Sequence, residues 1–373
     1  MRNKAYKYRI YPNAEQEAFF VRTFGCCRKV WNLMLSDKVE HYREHKKMLH
    51  NTPAQYKDAY PFLREADSLA LANTQLQLEA AFRNFFRDKR TGFPRFKSRR
   101  HPKQSYTTNN QNGTVSITDG HIRLPKTGPV KAVIHREAPE GWKLKSVTVS
   151  RNAAGEYYAS VLYECDTAAM LPPAPAGSAI GLDYKSDGLY MDSDGHAAGM
   201  PKYYRDSQKK LARAQRVLSR RRGARKNEEP SANFLKQQRK VARIHGHAAN
   251  QRKDFLHKES TAIAKRYETV CVEDLDMRAM SNKGFGNGKA TLDNGYGMFL
   301  SMLDYKLRDR GGRLIKVGKY YPSSQLCSRC GKRHPMPLSE RVFVCPVCGM
   351  VMDRDHNAAA NILHEGIRML AEA

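Results

Sequence analysis

The chain has 373 residues, enough for two to three domains at roughly 150 residues each. Its 65 Lys and Arg against 37 Asp and Glu give a formal net charge of +28, which argues against a partner-free acidic or neutral enzyme and fits a polyanion, either nucleic acid or an anionic membrane surface. The mean hydropathy of −0.70 and the lack of any run of 18 apolar residues leave no bilayer-spanning helix. Met1–Arg9 is charged with no apolar stretch behind it, so no secretory leader is expected.

In chain order, Ala5-Tyr-Lys-Tyr-Arg-Ile-Tyr11 alternates and reads as a strand ended by Pro12 and Asn13. Residues 14–48 carry Phe20, Phe24, Val30, Trp31 and Met34 and read as a helix. A second helix runs from Ser68, a candidate N-cap, to Phe86, with Leu71, Leu78, Phe82 and Phe85 at helical spacing. On it Asn73 and Gln77 lie four residues apart on one face. Amide side chains can pair with adenine edges in a major groove, and an ordinary polar surface is the plainer alternative.

Residues 83–103 set Arg83, Arg87, Lys89, Arg90, Arg95, Lys97, Arg99, Arg100 and Lys103 among Phe85, Phe86, Phe93 and Phe96. Cations that meet phosphates beside rings that stack on bases suit nucleic acid; a solvated loop is the alternative. From 104 to 168, short β-rich runs alternate with turn signals such as Asp119-Gly120, as in a small antiparallel barrel or sheet to which the first strand returns. Leu171–Gly177 is a linker by its prolines. A buried strand over Ala179–Asp183, a hairpin through Ser193-Asp194-Gly195, long helices over 203–267, strands at 270–272 and 313–317, and helices over 297–310 and 355–370 follow. Between Lys202 and Asp254, 17 Lys and Arg face 4 Asp and Glu. Pairing of opposite charges along a helix cannot account for that ratio, so a phosphate-facing helix pair that includes Arg220, Arg221 and Arg222 is expected.

Eight cysteines include two CxxC pairs, Cys327/Cys330 and Cys345/Cys348, with 14 residues between them. Four thiolates match the tetrahedral preference of zinc and leave no open position, so a structural Zn²⁺ in a reducing compartment is expected. Gly331 and Gly349 follow each pair, where a knuckle turn needs positive φ.

Three acidic positions stand apart: Asp183 after Ile180-Gly-Leu, Glu273 after Val270-Cys-Val, and Asp355 in Asp353-Arg-Asp-His-Asn-Ala-Ala-Ala-Asn361. A carboxylate at the end of a buried strand is expensive unless it is paired or metal-bound. Three that converge can hold two Mg²⁺ about 4 Å apart for phosphodiester hydrolysis. Loop or cap carboxylates are the alternative, and Asp353 or Asp355 would serve as a helix N-cap.

These pieces together resemble the TnpB (OrfB) family of transposon-encoded RNA-guided DNA endonucleases, relatives of type V CRISPR effectors. The resemblance rests on Lys4–Pro12, Phe24–Val30, Ala81–Phe86, Gly92–Lys97, Gln104–Tyr106, Gly181–Asp183, His257-Lys258, Val272–Leu275, Pro322–Ser324, the four cysteines and Asp353–Ala359, and covers nearly the whole chain. It implies an α+β multidomain fold. A wedge-like β-barrel (1–14 and 104–170) would hold an inserted helical recognition domain (15–103). After the linker (171–177) would come an RNase H-like RuvC nuclease domain (178–323 and 351–373) with inserted basic helices, interrupted by a zinc ribbon (324–350) that binds target nucleic acid. It also implies Asp183, Glu273 and Asp355 as catalytic Mg²⁺ ligands, with Asp353 as fallback for the third. Partners would be a guide RNA from the transposon end and double-stranded target DNA beside a short flanking motif, in a bacterial or archaeal cytoplasm at the nucleoid. Many relatives have Gly-Ile-Asp-x-Gly, whereas Lys185 stands here for the second glycine. A nuclease-inactive guided DNA-binding regulator would have lost acidic residues, and all three are kept. A strand-transfer transposase or accessory protein lacks support, since no His-hydrophobe-His motif occurs.

Overall fold

The alternating N-terminal run folds as strand β1 (Arg2–Tyr11), which buries Tyr6, Tyr8 and Ile10 on one face. The computed structural model describes residues 2–88, 90–101, 103–165, 171–222, 229–282, 288–337 and 339–372. Lys89 of the basic-aromatic run and residues 166–170 of the expected wedge lie outside them. The chain divides into two units, Met1–Thr167 and Ala168–Ala373.

In the first unit, β1 leads into α1 (Ala14–His45), whose start Asn13 and Gln16 fix by a reciprocal capping box. Helix α2 (Ser68–Arg87) is capped one residue earlier than the sequence suggests. Asp67 accepts from the Leu69 amide at 3.1 Å and from the Thr108 hydroxyl. A carboxylate suits a helix N-terminus better than the Ser68 hydroxyl, because it adds charge opposite to the dipole.

Six further strands follow: β2 (Gln104–Asn109), β3 (Ser116–Thr118), β4 (His121–Leu124), β5 (Gly128–Val133), β6 (Lys143–Arg151) and β7 (Tyr157–Cys165). The sheet order is β2-β6-β7-β1-β5-β4-β3, with every pairing antiparallel. The first strand sits at its centre, between β7 and β5. A closed barrel is not formed by hydrogen bonds. Among the described residues no ladder joins β2 to β3, so the sheet keeps two edges. Its apolar face, with Val130, Val147 and Val161, shares one core with Phe20, Met34, Leu71 and Leu78 of the two helices.

The second unit opens with β8 (Ala179–Tyr184), β9 (Tyr190–Asp192) and β10 (Ala197–Ala198), an antiparallel meander. The long basic helices α3 (Tyr203–Arg222) and α4 (Ala232–Arg266) follow and pack through Leu211, Ala214 and Ile244. Then come β11 (Thr269–Glu273), the short α5 (Met277–Met280) and α6 (Gly288–Asn294), α7 (Tyr296–Arg308) and β12 (Arg313–Val317). Strands β13 (Val342–Val344) and β14 (Val351–Asp353) form a separate hairpin before α8 (Arg354–Ala371).

The five-stranded sheet has the order β10-β9-β8-β11-β12, and β8, β11 and β12 run parallel. Strands buried on both faces read as continuous apolar runs, which is why Val270-Cys-Val272 shows no alternation. Ile180, Leu182, Val270 and Val272 face α4 and α7 through Leu256, Ile263, Phe299 and Leu303. The opposite face carries Gly181, Asp183, Cys271 and Glu273, and α8 covers it. Gly181 and Gly366 allow the close approach: a Cβ at Gly181 would lie 2.2 Å from the Ala359 carbonyl oxygen, and one at Gly366 2.3 Å from Cys271 Sγ.

Candidate active site and metal centre

Asp183 and Glu273 each sit one residue beyond the Leu182–Val272 register pair of two adjacent parallel strands. Neighbouring strands lie about 4.8 Å apart, so the two carboxylates project side by side from the carboxyl ends of β8 and β11. Asp355 enters from the first turn of α8, 9% exposed. Asp353 is not part of the cluster. It is the N-cap of α8, accepting from the amides of Asp355 and His356 at 2.9 and 3.0 Å.

Asp183 feels both of the other carboxylates. Burial pushes the Asp183 carboxyl well above its ordinary range, Asp355 and Glu273 push it further, and only Arg354 and the Tyr184 amide oppose this. Burial also raises Glu273. Two half-buried or buried acids held above their ordinary range beside a third carboxylate have the donor chemistry of a divalent-cation site. The cluster is open: among the described residues only the four ribbon cysteines bring all their ligand atoms within 4.8 Å of one another.

Cations crowd Asp355. Arg354 reaches its Oδ1 at 3.2 Å, Lys185 its Oδ2 at 3.4 Å and Arg341 the same oxygen at 4.0 Å. Behind Asp183, Tyr184 packs on the fully buried Tyr296 with ring centroids 4.8 Å apart. The buried Asn294 donates to the carbonyls of Ser186 (2.9 Å) and Lys185 (3.4 Å). Tyr296 and Asn294 escaped the sequence reading because they lie far along the chain, with no spacing that links them to Asp183.

The cysteines form the second centre. Cys327 and Cys348 sulfurs are 3.6 Å apart, as are those of Cys330 and Cys345. Tetrahedral zinc with Zn–S bonds of ~2.3 Å needs sulfurs ~3.8 Å apart, so the four residues fit the ion. The Cys348 amide, with that of Val347, holds the Cys345 thiol down to about 6 against its burial, while burial and the neighbouring sulfurs push Cys348 up. Gly331 and Gly349 take φ of 70° and 69°, and their amides close each knuckle on Cys327 and Cys345.

The cysteine knuckle is tied to the acidic helix. Asn357 accepts from the Ser328 amide at 2.9 Å and donates to the Leu326 carbonyl at 2.7 Å. Asn361, one turn on, donates to the carbonyls of Ser323 and Leu326 at 2.8 and 2.7 Å. Both are buried. Two amide side chains four apart on the apolar face of a helix were the visible signal, and the sequence reading passed over it.

The expected nucleic-acid residues fall in both units. Arg99 and Arg100 are exposed in the first unit. Asn73 donates to the Leu69 carbonyl of its own helix at 2.9 Å, and Gln77 is exposed with a 3.4 Å contact to Thr107. In the second unit, Arg220, Arg221 and Arg222 are exposed at the end of α3, where cations suit the dipole. Arg221 also donates to the Asn233 carbonyl at 3.1 Å.

Three family profiles match. The OrfB profile of IS605 elements, described as "Probable transposase", covers residues 160–284, and a Cas12f1-like TNB domain covers 296–362. A profile described as a helix-turn-helix domain covers 1–47, although the structure there is one strand and one long helix. A Streptomyces pristinaespiralis protein that carries the provisional name of an RNA-guided DNA endonuclease is 38% identical, over 98% of this chain and 89% of its own. InsQ of Escherichia coli K12, provisionally named likewise, is 33% identical over 99% and 94%. The Cas12f1 chain of a complex with guide RNA and target DNA has the same fold, with a TM-score of 0.65 at 14% identity over 97% of this chain and 98% of its own. No helix of the described residues is long and apolar enough to cross a membrane. On the two near-full-length relatives, the chain belongs to the TnpB (OrfB) family.

Proposed function

We propose that the chain is a transposon-encoded, RNA-guided DNA endonuclease that cuts double-stranded DNA beside a short flanking motif. The observation that carries this reading is the convergence of Asp183, Glu273 and Asp355 from two strand ends and a helix start, close enough that the other two acids disfavour the charge of Asp183.

In this reading residues 178–323 and 351–373 form an RNase H-like RuvC nuclease domain, which the five-stranded order and the covering helix α8 support. Residues 1–14 and 104–170 would be the wedge, 15–103 the recognition helices, and 324–350 a zinc ribbon that holds target nucleic acid. Asp183, Glu273 and Asp355 would hold Mg²⁺, which supplies an activated water and stabilises the leaving oxygen. Arg354, 3.2 Å from Asp355 Oδ1, would hold that carboxylate in orientation. Tyr184 and Tyr296 close the inner side of the cleft to water. Sequence would be read by pairing between guide RNA and target, so the protein's own contacts fall mainly on phosphates, as its charge of +28 suits.

The test is purification from cells, sequencing of the bound RNA, and Mg²⁺-dependent cleavage of a plasmid that matches it. Asp183→Ala should keep the RNA and lose cutting. Full cutting by that variant would overturn the assignment, and a preparation free of RNA would overturn guided recognition.

A further inference from the structure

The proposed function leaves Lys185 without a role, although its ammonium lies 3.4 Å from Asp355 Oδ2. The contact is sheltered: the Lys185 side chain is 21% exposed and that of Asp355 12%. Arg354 holds the other oxygen, Oδ1, and Arg341 lies 4.0 Å from Oδ2 on a largely exposed side chain, so Lys185 and Arg354 are the two sheltered cations on this carboxylate. The two differ in kind. Arg354 neighbours Asp355 in the chain, and its guanidinium also donates to the Glu340 carbonyl. Lys185 belongs to the turn after β8, and a flexible four-carbon stem carries its charge.

That turn is braced from below. Gly188 donates to the Lys185 carbonyl at 3.4 Å, and Asn294 donates to the carbonyls of Lys185 and Ser186. Arg205 and Arg252 flank the neighbouring buried Asp293 at 3.6 and 3.9 Å. The backbone of Lys185 is therefore fixed while its ammonium can swing. The position is also the one at which this chain departs from the family's second glycine, a residue with no side chain to make such a contact.

We infer that Lys185 is a tethered counter-cation of the carboxylate cluster, supplying beside Asp355 the positive charge that a divalent ion would supply and withdrawing when one binds. The inference rests on the proposed metal role of the three acids. Its consequence is weak ion binding by the protein alone. DNA in the cleft offers a phosphate to which the displaced ammonium can turn, so ion loading is coupled to substrate. Lys185 is thus a positioning residue, acting through the occupancy of Asp355.

The test measures Mn²⁺ affinity of the full chain, zinc retained and no nucleic acid present, by electron paramagnetic resonance and calorimetry. Lys185→Met, whose soft thioether is a poor ligand for Mn²⁺, should bind Mn²⁺ about tenfold more tightly, since a like charge leaves the site. Lys185→Arg should stay within about twofold of the wild type, because the charge remains. Lys185→Ala repeats the neutral test should the methionine variant not fold. Asp183→Asn identifies the site by abolishing binding. Unchanged or weaker affinity in the neutral variants, with Asp183→Asn still abolishing it, overturns the counter-cation role alone. Binding indifferent to Asp183→Asn overturns the metal reading and this inference with it.

Discussion

Gly181→Ala is the sharpest test of how α8 is held over the acidic cluster. The added Cβ would sit 2.2 Å from the Ala359 carbonyl oxygen, 2.8 Å from the Leu363 amide nitrogen and 2.9 Å from Leu363 Cβ. Ordinary contacts begin near 3.4 Å, and two of the three atoms are helix backbone, which cannot rotate away. The helix must therefore retreat by about 1 Å. Overpacking of this kind costs about 1–3 kcal/mol, and each kcal/mol lowers the melting temperature by about 2–4 °C in a unit of this size. Asp355 rides on the first turn of the same helix, so the shift reaches the candidate metal site. A displacement near 1 Å at a reacting centre costs about 10²-fold in rate. Differential scanning fluorimetry with guided plasmid cleavage measures both effects. Gly199→Ala is the control, with nothing within 4 Å of its Cβ. A melting temperature within about 1 °C of wild type and cleavage within about twofold would refute the packing argument.

Asp183→Asn should abolish cleavage yet raise the melting temperature of the Mg²⁺-free protein at neutral pH. The folded state raises the Asp183 pKa well above 3.8, so it binds that proton more tightly than the unfolded chain does. This contribution is fully present below pH 3.8 and lost as pH climbs through the raised value, so the variant's advantage should shrink as pH falls toward 4; a pH-independent gap would contradict it. Cys345→Ser should lower zinc content by atomic emission and loosen 324–350 in hydrogen exchange while the five-stranded sheet keeps its protection, whereas a wild type with zinc near zero refutes the site. Asn357→Ala leaves the Ser328 amide without its partner and the Leu326 carbonyl with Asn361 alone, and should cost about 1–3 kcal/mol in thermal unfolding. Exchange protection should fall in both α8 and the cysteine knuckle, and loss confined to the knuckle would refute their coupling. Charge reversal at Arg99 and Arg100 should weaken nucleic-acid binding for all sequences, with the salt slope reduced by roughly 0.9 per lost duplex contact; an unchanged slope marks these residues as solvated surface.

The local features were legible because they obey local rules. Four cysteines in two CxxC pairs with a glycine after each need only the geometry of zinc and a positive φ, and the sulfurs do approach to 3.6 Å. Period-2 alternation gave β1, helical spacing gave α1 and α2, and the continuous apolar run gave β11. The excess of Lys and Arg over 202–254 gave two basic helices with little core of their own.

What depended on chain reversal was not legible. Residue spacing offered both Asp353 and Asp355, and only the family resemblance favoured Asp355. The tertiary structure separates them, since one carboxylate caps α8 and the other turns toward Asp183 and Glu273. The cap of α8 separates these two, while the pairing of segments some 90 residues apart, Leu182 with Val272, sets Asp183 beside Glu273. The same holds for Asn357 and Asn361, whose partners lie about 30 residues away, and for Asn294, whose acceptors lie over 100 residues back. Lys185 reads in the sequence as a lost glycine; only the packing of α8 against β8 brings its ammonium to Asp355. Composition and spacing thus determined which chemistry the chain can carry, because side-chain type and local period fix ligands and elements. The tertiary structure decided which acids meet, because the electrostatics of a site depend on distances that only folding creates.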